Sequence, residues 1–308
     1  MTTTNKPTLV FEQYLTLTSN WLQEIVAPYI TLELYDQKKF YPKQSTVFYA
    51  PFPGPYPSKP TVVQQNFIDN GYRIVYDNLS EAMVNHPTKY VIQTPNWFRY
   101  NESLRGIYHK LNTYQPNRNY RHLALMPMRM QKPHRDLAVK KLQSWLDDFV
   151  WSYVAQGQQL PNDGDMNDWA TQRHFNPEWY DNTCFSFVSE TTVVQNNSTV
   201  FITEKTYKPI SFYHPFMILG PPGILNALKD QGFETFENLF DESYDIETNW
   251  FKRLDCLVHN VKQFVKQPYD SVTQQKIAHN HAHFFNMQII TKKIVDEIIH
   301  PLLNYAET

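Results

Sequence analysis

The stretch from Phe185 to Gly223, FSFVSETTVVQNNSTVFITEKTYKPISFYHPFMILGPPG, constrains this chain more than any other. Three short apolar runs, Cys184–Ser189, Val200–Ile202 and Phe216–Leu219, are rich in β-branched and aromatic residues and too short for helices, so each reads as a buried strand. Between the second and third lies a helical stretch over 204–212, and a second helix over 223–231 closes at Gly232. Strand and helix alternating at this spacing argue for a parallel sheet. In such a sheet ligands bind at the carboxyl ends of strands, and helix N-termini there attract anions. Thr203 stands where the helix needs an N-cap, which puts Glu204 and Lys205 in its first turn. Glu204 suits the positive helix end. Lys205 opposes it, unless an anion such as a phosphate joins the site.

The alternation extends upstream. Residues 8–27 read as roughly helical and stop before Pro28. Thr46–Ala50, Tyr72–Tyr76, Tyr90–Gln93 and His122–Met126 read as strands; Val62–Ile68, Leu79–Asn85, Glu102–Leu111 and Pro133–Val150 read as helices. The Pro-rich segment PFPGPYPSKP reads as a loop, and residues 156–182, rich in Asn, Asp, Gly and Pro, read as a linker. Trp250–Val265 and Phe284–Leu303 read as the last helices. The expected architecture is α/β in two domains, residues 1–155 and residues 156–285, followed by a terminal helix over 286–308.

Charge divides the same way. Residues 1–150 carry 17 Lys and Arg against 11 Asp and Glu, whereas residues 151–308 carry 11 against 19. A basic first half could face an anionic acceptor, nucleic acid included, or the asymmetry could be incidental. The two cysteines, Cys184 and Cys256, make neither a metal pattern nor a disulfide framework, which favours a reducing compartment. No apolar run reaches membrane-spanning length, and MTTTNKPTLVFEQ lacks the pattern of a secretory signal, so a cytoplasmic protein is expected. With 20 Tyr and 20 Phe the chain has aromatic surface to spare for stacking sugars or bases, although most such rings serve cores.

The pattern FxFVSET, some ten polar or small residues, FITEKTYKPI and then HPFMILGPPG resembles the nucleotide-sugar-binding core of family-10-type fucosyltransferases. It is similar also to a wider set of fucosyltransferase-like and exostosin-like glycosyltransferases, many of them microbial or viral. The resemblance covers roughly residues 120–245. It implies a GT-B fold, two Rossmann-like domains with parallel sheets facing a central cleft, and a nucleotide-diphosphate sugar as co-substrate with no further cofactor and no metal. GDP-fucose is the nearest donor by resemblance. The acceptor would be a glycan, a lipid-linked sugar or a hydroxylated base in DNA, and the reaction would invert configuration. A nucleotide- or DNA-binding protein that kept the fold is the non-enzymatic alternative.

Glycosyl transfer from a diphosphate needs neutralised charge on the leaving group, a base for the acceptor hydroxyl, and in-line placement. The resemblance assigns Lys205 to the donor phosphates and Glu204 to the ribose; a solvated helix-end pair is the bland reading. Glu190 resembles the family's acid before this turn, though offset by two residues, and would touch ribose or base or else be a surface acid. Arg135 is the second phosphate candidate, on a helix entered through Pro133, with Arg129 and His134 as competitors. Glu102 and Asp77 are the candidate general bases. Asp163-Gly164-Asp165 and the alternating His279, His281 and His283 are weaker signals for metal.

Overall fold

The structure is a computed structural model that describes residues 6, 8–11, 27–34, 39–41, 46–50, 62–77, 89–92, 113–161, 176–194, 200 and 202–307. The chain divides into two compact units: Met1–Leu104 together with Asn286–Thr308, and Arg105–Phe285. The boundary drawn at residue 155 from sequence falls inside the second unit. Its first two strands are upstream of that point, and the first of them hydrogen-bonds to a strand downstream of it.

The first unit holds a five-stranded sheet in the order β2-β1-β3-β4-β5, parallel throughout. The strands are β1 (Thr8–Phe11), β2 (Thr31–Leu34), β3 (Thr46–Ala50), β4 (Arg73–Asp77) and β5 (Lys89–Ile92). The start of the stretch expected to be helical is therefore strand: TLVF pairs with both β2 and β3, and Val10 is fully buried. Helix α1 (Val62–Asp69) precedes β4 and stops at Gly71, whose φ of 71° is the left-handed geometry a helix end favours in glycine. Phe67 of α1 packs on Tyr72 with ring centroids 4.8 Å apart. The Pro-rich segment and the expected helices over 79–85 and 102–111 lie outside the described residues.

The second unit carries a four-stranded parallel sheet in the order β7-β6-β8-β9: β6 (His122–Met128), β7 (Phe149–Tyr153), β8 (Thr183–Ser189) and β9 (Phe216–Leu219). The helix expected over 133–150 is shorter. It runs as α2 (Pro133–Leu142), tightens into 3₁₀ turns over Gln143–Asp148, and gives way to β7. FVWSY is a β-favouring run, and pairing with β6 overrides the helical spacing of the leucines before it. α3 (Pro177–Asp181), capped by Asn176, leads into β8, which is buried over its whole length. Val200 and Ile202 are not strand. α4 (Glu204–Ser211) and α5 (Ile224–Asp230) follow, one on each side of β9 in the chain.

α6 (Trp250–Gln263) is capped by Asn249 and packs on α2 and β9. The helix expected over 284–303 runs over 287–307 with a π turn inside it, and another helix precedes it. Asp270 caps α7 (Ser271–Phe284), which packs on α4 and belongs to the second unit. Asn286 then caps α8 (Met287–Ile294), which passes through a π turn over Val295–Ile299 into α9 (His300–Glu307). These last segments belong to the first unit, where α9 contacts β5. The Asn286 side chain accepts from the amides of Gln288 and Ile289, so the terminal helix starts just after it and not at Phe284.

Candidate functional site at the end of the second sheet

β6 is the first strand of its sheet, and the chain adds β7 on one side of it and β8 on the other. The strand order reverses between β6 and β8, and the crevice outside their carboxyl ends is where open α/β sheets bind ligands. Glu190, the residue after β8, sits in that crevice fully buried. Its amide donates to the Leu219 carbonyl at the end of β9, 3.0 Å away. Its carbonyl accepts from Arg135 Nη2 at 3.2 Å and from His134 Nε2–H at 3.0 Å. Its carboxylate receives four hydrogen bonds: Oε1 from the Thr203 amide at 3.1 Å and the Thr206 hydroxyl at 2.7 Å, Oε2 from the Thr203 hydroxyl at 2.5 Å and the Thr191 amide at 3.2 Å. Those donors fill the roughly four acceptor positions of a carboxylate. Glu190 thereby ties the ends of β8 and β9 to the N-termini of α2 and α4. Gly220 fits beside it because a Cβ there would meet Ile224 Cδ1 at 2.7 Å.

Arg135 lies on the other side of the same crevice, 2 % exposed. Nη1 donates to the Met130 carbonyl at 2.8 Å, and Nη2 donates to the carbonyls of Ser189 and Glu190 at 3.1 and 3.2 Å. Its guanidinium therefore solvates strand-end carbonyls. Its Nε and the hydroxyl of Ser189 are buried without a hydrogen-bond partner among the described residues. His134, nearly as buried, is held neutral: burial first, then the neighbouring Arg135 charge, bring its pKa down to about 4. Arg129 is half-buried just past β6, and its carbonyl accepts from the Ala155 amide.

Thr203 caps α4 as expected. Its hydroxyl oxygen accepts the Lys205 amide at 3.4 Å while its proton goes to Glu190. The Lys205 ammonium contacts Glu204 Oε1 at 2.7 Å and the hydroxyls of Thr191 and Thr203, both at 3.2 Å. Burial pushes the Glu204 carboxyl up, but the charges of Lys205 and Lys208 and the hydrogen bonds it accepts outweigh this and bring it to about 2. Lys205, Glu204, Thr203 and Thr191 thus meet at the N-terminus of α4, and Glu190 links them to Arg135 and His134.

A groove of about 450 Å³ opens at the end of β7. It is lined by Asp136 and Val139 of α2, Trp151 and Tyr153 of β7, and Gln156–Gln158. Sequence reasoning missed it because β7 was read as helix.

Of the candidate bases, Asp77 is the last residue of β4 in the first unit and Glu102 lies outside the described residues, as does Asp163-Gly164-Asp165. His279 and His283 direct their Nε2–H groups to the carbonyls of Gly232 and Gln231, and His281 stacks on Tyr213. Among the described residues no group of three His, Cys, Asp or Glu is placed to hold a metal ion, and no described helix is long and apolar enough to cross a membrane.

No protein-family model matches the chain, and no curated protein matches it. Among solved structures, a crystal structure of alpha1,3-fucosyltransferase with GDP-fucose aligns over 93% of this chain and 93% of its own, with 11% identity and a TM-score of 0.41. A crystal structure of alpha1,3-fucosyltransferase aligns over 96% of this chain and 92% of its own, with 12% identity and a TM-score of 0.35. Both likenesses are distant.

Proposed function

We propose that this chain is a metal-independent, inverting glycosyltransferase that uses a nucleoside-diphosphate sugar, with the diphosphate held at the N-terminus of α4. The observation that carries the reading is Lys205. A cation against the positive end of a helix is unfavourable by itself. Here it stands at the carboxyl end of a parallel sheet, ringed by the hydroxyls of Thr191 and Thr203. A diphosphate bound there would meet an ammonium at the positive end of α4, and both offset the charge of a leaving phosphate without a metal. Glu204 already neutralises Lys205 in the protein alone. On binding, the ammonium would turn from that carboxylate to the phosphate.

In the transfer the bond from the sugar's anomeric carbon to the diphosphate oxygen breaks, and a bond from that carbon to the acceptor oxygen forms. The acceptor's proton passes to a carboxylate, Asp77 or Glu102 by the sequence reading. The charge on the departing diphosphate is what Lys205 offsets.

The test is thermal unfolding with GDP, UDP, ADP, CMP and dTDP, each with Mg²⁺ and with EDTA. A ligand at a hundred times its Kd adds about 2.7 kcal/mol, roughly 5–10 °C for a unit of this size. One diphosphate is expected to give that shift equally in both buffers, and Lys205→Ala is expected to abolish it. No shift with any nucleotide, or a shift kept by Lys205→Ala, overturns the reading. Product formation is then assayed with the matching nucleotide sugar, offering glycans and hydroxymethylated DNA in parallel.

A further inference from the structure

We propose that Lys208 is a positioning residue of the donor site: it holds the Glu204 carboxylate in place when Lys205 turns to the diphosphate. This rests on the function proposed above and gives a role to a lysine that the sequence resemblance did not assign. α4 is buried along its length except at Lys205 and Lys208, which are half-buried. The two stand three residues apart, one turn along the same side of the helix. Glu204 is only 8 % exposed and comes four residues before Lys208. Residues four apart on a helix are neighbours, and an acid ahead of a lysine is the favourable order.

Counting charges shows why two lysines are needed. In the protein alone Lys205 lies 2.7 Å from Glu204, and one cation suffices. With ligand bound, the ammonium of Lys205 faces two anions, the carboxylate and the diphosphate. A carboxylate this buried that loses its only cation takes up a proton or moves, and while charged it repels the phosphate beside it. Lys208 resolves this. Burial raises the Glu204 carboxyl, and among the charges that bring it down Lys208 comes next after Lys205.

The charged groups on the elements packed against α4 are committed elsewhere. From α2, Arg135 feels the Glu204 charge, but its guanidinium donates to the carbonyls of Met130, Ser189 and Glu190. Glu190, at the end of β8, is itself an acid, and β9 brings only apolar residues. On α7, Lys276 pairs with Glu237, His279 and His283 reach the carbonyls of Gly232 and Gln231, and His281 stacks on Tyr213.

Inorganic pyrophosphate is the probe, because it has no ribose and reports on the charges at α4 alone. Its binding to the full chain is measured by calorimetry at about pH 6 in two buffers of different ionisation enthalpy, which yields affinity and protons taken up together. Protons of the ligand itself are common to every variant and cancel in the comparison. If only a nucleotide binds, it replaces pyrophosphate in the same series. Lys208→Gln is expected to unfold at a temperature close to wild type, since Lys205 still pairs with Glu204 in the free protein. It is expected to bind the probe about tenfold more weakly, the value of one charge-assisted contact, and to take up a further fraction of a proton on binding. Lys208→Arg is expected to keep both wild-type values. Adding Glu204→Gln to Lys208→Gln is expected to remove the extra proton and recover most of the affinity, because no buried carboxylate is left to balance. Lys208→Gln with wild-type affinity and proton uptake, or with a loss of affinity that persists in the double variant, overturns the assignment while the donor site at Lys205 stands. So does a Lys208→Gln protein that does not fold. Wild-type protein that binds neither pyrophosphate nor any nucleotide overturns both.

Discussion

Replacing Glu190 by glutamine separates an anchor from a ligand contact. The four donors on its carboxylate come from Thr191, Thr203 and Thr206, and the site is closed to solvent. An amide keeps one acceptor oxygen and turns the other into a donor. If the NH₂ takes the place of Oε2, it confronts the Thr191 amide; if it takes the place of Oε1, it confronts the Thr203 amide. Hydroxyl groups can rotate to accept from it, but a backbone N–H cannot, so either orientation strands one amide. A stranded buried donor costs about 1–3 kcal/mol, and the surviving bonds lose their charge assistance. The buried Arg135 also loses the anion whose field it feels. The total is about 3 kcal/mol, equivalent to a fall of roughly 6–12 °C in Tm for a unit of this size. Chemical denaturation by circular dichroism, with an unchanged m-value, measures it. Nucleotide affinity of the protein that remains folded should fall only modestly, because Lys205 is still present. A Glu190→Gln protein as stable as wild type to within about 0.5 kcal/mol, yet unable to bind nucleotide, would refute this reasoning and return Glu190 to the ligand.

Two further outcomes are expected. His134 has a folded pKa near 4, below the usual 6.5, so its contribution is complete above pH 6.5 and is lost as the pH falls towards 4. Between pH 7 and pH 5 that loss is about 2 kcal/mol, and denaturation midpoints at the two pH values should differ less in His134→Gln than in wild type. In Gly220→Ala the new methyl meets Ile224 Cδ1 at 2.7 Å and Ile218 Cγ2 at 3.3 Å, a crowding worth about 1–3 kcal/mol. Ile224→Val removes the nearer atom, so the double variant should recover part of that loss in a mutant cycle.

Local chemistry was legible where one residue decides it. Thr203 caps α4, Phe216–Leu219 is the strand β9, and Gly232 closes the turn after α5 with a φ of 91°, each as its sequence suggested. Pairing partners were not legible. Thr8–Phe11 and Phe149–Tyr153 sit among residues with helix-like spacing, and only the neighbouring strands make them β. The same holds for the grouping of strands, because β6 and β7 carry no mark of the sheet they join. In the site, the acids could be found but not sorted. Glu190 and Glu204 both lie near a strand end in a polar run and both are buried, and only their partners distinguish one saturated by threonines from one paired with lysine. Tyr153 and Asp136, 17 residues apart, meet through the parallel register of β6 and β7.

Arg135 is where the two roles of a cation at a strand end can be told apart. Strand ends leave carbonyls without ladder partners, and a buried carbonyl needs a donor. One planar guanidinium reaches the carbonyls of Met130, Ser189 and Glu190 at once, and so fixes the loop before α2 against the end of β8. Arg253 does the same for the carbonyls of Val193 and Glu247, and Arg118 for those of Tyr180, Phe212 and Tyr213. A lysine has a single nitrogen and cannot span such a fork. Arg135→Lys should therefore leave at least one carbonyl unpaired and destabilise the protein by about 2–4 kcal/mol, read by chemical denaturation. Pyrophosphate affinity decides the remaining question. If Arg135 only braces the crevice, folded Arg135→Lys should keep pyrophosphate affinity within a few-fold of wild type, since the ammonium of Lys205 is untouched. If instead stability holds and pyrophosphate binding collapses, Arg135 turns to the phosphates when ligand arrives, and the bracing role argued from its three carbonyls is wrong.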